Sequence, residues 1–149
     1  MKKIFLGLLL VILAGCATIE IPQYIQDRNP YQKTFYNDFD KTLEAVRQAL
    51  NDLGWTIEKE TQPSVYERNR LLEEEGGQAI LLFTDVRRTS FFLGSRYARL
   101  NIYLRGSDRV SDVEIRYLTL NSLAIKTFRQ YKNDAAVERI FHKIEENLK

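Results

Sequence analysis

Ala98, Leu100, Ile102 and Leu104 alternate with Arg99, Asn101, Tyr103 and Arg105. The same two-residue period returns at Val113, Ile115 and Tyr117 against Glu114 and Arg116. Successive side chains on a strand point to opposite faces, so both runs read as strands with one buried face. Gly106-Ser107-Asp108-Arg109 lies between them, a composition suited to a hairpin loop. A chain carrying this hairpin must supply something to cover one side of a sheet.

Two amphipathic segments can do so. Phe39, Leu43, Val46, Leu50 and Leu53 recur at steps of four and three, one stripe of a helix. Asn37 or Asp38 can cap its start, and Gly54 stands where a left-handed residue ends it. Val137, Ile140, Phe141, Ile144 and Leu148 share one face of a second helix, starting from a cap at Asn133 or Asp134. Between the helices, Trp55 to Glu60 alternates as a first strand, and Ala79 to Phe83 is apolar on both faces, as an interior strand is. Residues 64–77 read either as a helix over Arg68 to Glu75 stopped by Gly76-Gly77, or as an excursion or strand around Val65-Tyr66. Residues 121–132 read as helical on Ala124, Phe128 and Tyr131, or as an edge strand. Short links favour antiparallel pairing. The predicted fold class is α+β: a two-layer sandwich, its antiparallel sheet of about four strands covered on one face by an N-terminal and a C-terminal helix.

The first fifteen residues address the chain. Lys2 and Lys3 precede an apolar run from Ile4 to Ile12, followed by Leu13-Ala14-Gly15-Cys16, which holds the only cysteine. This is the pattern of a secretory signal peptide. A spanning helix needs roughly 20 apolar residues, and this run has about half that length. Leu13, Ala14, Gly15 and Cys16 resemble the lipobox of bacterial lipoproteins. The resemblance implies cleavage before Cys16, with a diacylglycerol thioether on its sulfur and an acyl chain on its new amino group. Ala17 stands where the similar enterobacterial sorting pattern places Asp to retain a lipoprotein at the inner membrane. Delivery to the periplasmic face of the outer membrane is therefore implied. The chain then divides into a signal peptide at 1–15, a lipidated tether at 16–34 and a single periplasmic domain at 35–149. Over roughly 35–149, element order and apolar pattern resemble the small helix–sheet domains of periplasmic lipoproteins, including those of the barrel-assembly-machine lipoprotein.

Charge and motif narrow the function. The chain has 22 basic and 20 acidic residues, and removal of Lys2 and Lys3 leaves 20 against 20. No nucleic-acid partner is expected of such a chain, since that calls for a basic domain. The single histidine, His142, falls beside the apolar stripe of the last helix, as a solvated residue would. With one histidine and one cysteine, no catalytic residues, metal ligands or cofactor are expected beyond the lipid on Cys16. Two features suit binding. Phe91-Phe92-Leu93 is an apolar triplet bounded by small residues, either a docking patch or a strand that sends Phe91 and Leu93 into the core. Arg99, Tyr103, Arg105 and Arg116 would line the sheet face away from the helices, with Arg87, Arg88 and Arg96 nearby. They form either an interface for an acidic partner or anionic headgroups, or an ordinary wet face. The expected function is a non-enzymatic interaction or scaffold module, membrane-bound through its lipid and paired with an envelope protein. The alternatives are a binder of a small lipid or glycan held between helices and sheet, and an envelope hydrolase.

Overall fold

The structure, a computed structural model, describes residues 20–68, 77–91, 94–123 and 127–149. The signal peptide and Cys16 lie outside these residues, as do Phe92 and Leu93. Over the described residues the chain is α+β, with two helices and an antiparallel sheet of seven strands. In order these are β1 (Tyr31–Phe35), α1 (Phe39–Asp52), β2 (Ile57–Thr61), β3 (Gln78–Thr84), β4 (Arg87–Phe91), β5 (Gly94–Gly106), β6 (Ser111–Leu123), β7 (Thr127–Gln130) and α2 (Asp134–Asn147). A 3₁₀ turn, Pro63–Val65, follows β2.

The alternating runs at 98–117 belong to the axis of the sheet. β5 and β6 pair along their whole length, from Gly94 opposite Leu123 to Gly106 opposite Ser111. Strand order is β1-β6-β5-β3-β2, and the outer half of the hairpin gains β4 beside β5 and β7 beside β6. β3 and β4 thus lie end to end along β5, broken at Asp85 and Val86. Thr84 bridges the break: its hydroxyl accepts from the Leu100 amide at 2.9 Å. Gly106 is the last residue of β5, and a Cβ there would lie 2.4 Å from the Ser111 hydroxyl oxygen.

The sheet has three more strands than the four expected; β1 and β4 were hidden for physical reasons, and β7 was one of two open readings. β1 falls within the stretch read as a tether. Its inward positions are Tyr31, Lys33 and Phe35, and the lysine interrupts the apolar alternation. Lys33 reaches past Phe35 and Phe141 to pair with Glu145 at 2.7 Å, so its stem packs while its charge stays wet. β4 is polar and solvent-exposed from Arg87 to Ser90, with no buried face to mark it. β7 is a four-residue edge strand, one of the two readings of that segment.

Both helices form where the apolar stripes place them. Asp38 caps α1 by accepting from the Lys41 amide, and Asn133 caps α2 by accepting from the Ala136 amide. Gly54 follows α1 with φ +72°, a conformation costly for other residues. Phe39, Leu43, Val46 and Leu50 pack with Val137, Ile140, Phe141 and Ile144 over Leu100, Ile102, Leu104, Val113 and Ile115. Among the described residues no helix is long and apolar enough to cross a membrane.

Tyr31 clasps β1 to the start of α2. Its hydroxyl donates to Asp134 Oδ1 at 2.5 Å and accepts from the Asn133 amide at 2.9 Å. Burial, then the bond to Asp134, pushes its pKa from 10.0 up to about 12. The neutral phenol is the form that the fold favours. Its contribution to stability should be complete below pH 10 and disappear as pH rises through 12. Alkaline denaturation curves should show this fall, and Tyr31→Phe should flatten it. Ile102, fully buried, should cost about 2–5 kcal/mol when cut to alanine. Val65→Ala, at an exposed site, should move urea denaturation by no more than about 0.5 kcal/mol.

Candidate functional site

The sheet face away from the helices carries the residues expected to meet a partner, and the structure corrects that picture. Arg99, Tyr103 and Arg116 are on this face, yet they are only 7%, 5% and 4% exposed. The chain's own residues 20–30 cover them as a strap. Only Arg105, at the inner end of the hairpin, keeps much contact with water, paired to Asp112 at 3.2 Å. Phe91 closes β4 opposite Gly94, so the backbone of the apolar triplet begins as strand; Phe92 and Leu93 lie outside the described residues.

The strap is held by hydrogen bonds that its own irregular backbone needs. A buried amide or carbonyl without a partner is costly. Asn101, fully buried on β5, serves two: its Oδ1 accepts from the Ile25 amide at 2.6 Å, and its Nδ2 donates to the Gln23 carbonyl at 3.0 Å. Arg99 donates to the Pro22 carbonyl at 3.3 Å and pairs with Glu58 at 2.8 Å. Apolar contacts seal the rest. Ile25 is 1% exposed against Leu118 and Leu120, with Ile21 and Tyr97 at the edge. Tyr24 stacks on Tyr66 with centroids 5.2 Å apart, and Tyr66 leans on Phe83 at 5.1 Å.

At the centre sits Arg116. Its guanidinium pairs with Glu67 at 2.6 Å and Glu114 at 2.5 Å, and donates to the Tyr24 hydroxyl at 2.7 Å. Burial disfavours its charge, but the two carboxylates outweigh that and drive its pKa upward. Burial likewise raises the pKa of Tyr24, which keeps its proton. Gln32 of β1 donates to the other oxygen of Glu114 at 3.3 Å. The cluster therefore ties the strap, the segment after the 3₁₀ turn, β6 and β1 together.

Beside it opens a groove of about 680 Å³, lined by Tyr24, Asp27, Arg28, Tyr66, Glu67 and Arg116. Its lining mixes Arg28, Arg68 and Arg116 with Asp27 and Glu67, and Arg116 is already matched by two carboxylates. His142 stands on the outer flank of α2, within 3.3 Å of Glu146 and 3.9 Å of Glu145. Among the described residues, no three His, Cys, Asp or Glu side chains gather as a metal site would need.

Sequence reasoning placed Arg99, Tyr103 and Arg116 on one face but missed what closes it. Tyr24, Ile25 and Glu67 carry no periodic signal, and Ile25 lies 76 residues from its partner Asn101. Comparison with models of known protein families and with curated proteins returns no match.

Arg116→Met should destabilise the domain by about 3–5 kcal/mol, because Glu67 and Glu114 would be left buried without their cation. Arg105→Ala removes a wet pair and should cost less than about 1 kcal/mol. Urea denaturation of both variants checks the contrast. Similar losses would contradict the burial assigned to Arg116.

Proposed function

We propose that this chain is a lipoprotein of the bacterial envelope, acylated on Cys16, with a domain that serves as a non-enzymatic interaction module. The observation that carries the reading is the lipobox-like Leu13-Ala14-Gly15-Cys16, followed closely by packed chain. Ile21 already touches the cluster around Ile25. Five peptide steps separate it from Cys16, at most about 18 Å when extended. The tether expected over 16–34 is shortened accordingly, and the domain rests at the bilayer instead of standing off it. Two or three acyl chains, at about 0.8 kcal/mol per buried methylene, give lasting attachment. Ala17 supports the outer membrane as destination, by the sorting pattern it resembles.

The resemblance to helix–sheet domains of envelope lipoproteins supports binding over chemistry. With Arg99, Tyr103 and Arg116 committed to the strap, a protein partner meets the outer surfaces of the domain. Tyr36, 85% exposed just after β1, is one large side chain available to it.

Labelling cells with radioactive palmitate tests the anchor. The wild-type chain should take up label and run as a processed species, whereas Cys16→Ser should remain unlabelled and unprocessed. Label retained by Cys16→Ser would refute acylation at that sulfur. Crosslinking in intact cells should recover an envelope protein with the wild-type chain, and Tyr36→Asp should weaken that recovery without lowering the melting temperature.

A further inference from the structure

Where α1 ends and α2 begins, a cleft of about 290 Å³ separates the helices from the outer half of the sheet. Three arginines line it from three elements: Arg87 on β4, Arg96 on β5 and Arg139 on α2. No carboxylate is among its lining residues. Arg47, Arg99, Arg105 and Arg116 each meet a carboxylate elsewhere in the fold. Among the described residues, Arg87, Arg96 and Arg139 meet none.

Neutral contacts position two of them. Arg87 donates to the Leu53 carbonyl at 3.1 Å and lies over the Trp55 ring, 4.6 Å from its centroid. Arg96 donates through Nε to Asn121 Oδ1 at 2.9 Å. Each guanidinium has five N–H donors, so these single bonds orient the fork and leave most donors open. Like charges brought together around a concavity repel one another, and an anion between them removes that cost.

We infer that this cleft binds a phosphate group. A planar carboxylate is matched by guanidinium forks lying near its own plane, whereas a tetrahedral phosphate accepts from several directions. Arginines arriving from two strands and a helix suit the latter. Trp55 and Ile140 add an apolar wall for an organic body attached to the phosphate. The group can belong to a soluble phosphoester or to a lipid headgroup. This site stands apart from the anchor and does not rest on acylation of Cys16.

Trp55 is the single tryptophan, so its emission reports directly on the cleft. The full chain in non-ionic detergent at low ionic strength is titrated with pyrophosphate. Emission should change saturably, and Arg96→Gln or Arg139→Gln should weaken the apparent Kd about tenfold or more. Arg105→Gln should leave it unmoved. Reconstitution into phosphatidylcholine vesicles with and without phosphatidylglycerol separates the two sources. A phosphatidylglycerol response that depends on Arg139 identifies a headgroup, and a pyrophosphate response without it identifies a soluble phosphoester. Three results would overturn the assignment: no saturable response to either probe, a response that persists in the Arg96→Gln, Arg139→Gln double variant, or a response to polyglutamate but not to phosphate. Circular dichroism of each variant confirms that a lost response is not lost folding. Palmitate labelling reads the anchor independently, so either idea can fail without the other.

Discussion

A guanidinium taken out of water is expensive, and Arg116 is 4% exposed. The effective penalty is several kcal/mol per buried ion, and good geometry must offset it. Glu67 and Glu114 supply opposite charge, while Tyr24 supplies a hydroxyl acceptor and a ring 5.2 Å from the guanidinium carbon. These partners come from parts of the chain far apart in sequence. The cluster is therefore satisfied only when the strap, the segment after the 3₁₀ turn and β6 are in place together. The polar face of the sheet is closed by this requirement together with the apolar contacts of Ile25, Ile21 and Tyr24 of the strap.

The two faces of the sheet are thus closed by different physics. Over one, interlocking apolar side chains of two helices exclude water without needing directional bonds. Over the other, an irregular backbone brings amides and carbonyls that demand partners, and Asn101 and Arg99 provide them. A polar residue on a strand can face solvent, or it can satisfy a covering segment. Burial distinguishes the two, and residue type does not.

That distinction sets what could be read from the amino acids. Periodicity located both helices and the hairpin at the centre of the sheet, because those elements bury one regular stripe, and of the cap candidates the structure uses Asp38 and Asn133. It missed β1, where Lys33 occupies an inward position, and β4, which is exposed from Arg87 to Ser90. For the candidate site, alternation correctly gathered Arg99, Tyr103 and Arg116 on one face. It said nothing of occupancy, because Gln23, Tyr24 and Ile25 meet that face across more than 70 residues of chain. Arg139 was invisible for a related reason: it lies just off the apolar stripe of α2, and only the tertiary fold brings it to Arg87 and Arg96.

The order of clamps along the strap has a mechanical meaning. A load applied to the chain ahead of residue 20 reaches Ile21, packed in the Ile25 cluster, and then Pro22 with its bond from Arg99. It then passes to Gln23 on Asn101, to Tyr24 on Arg116, to Ile25 on Asn101, and to Asp27 and Asn29 on Lys132. The ladder between β1 and β6 comes after all of these along the chain. A pull on the chain ahead of the domain would therefore meet these contacts before it met the sheet.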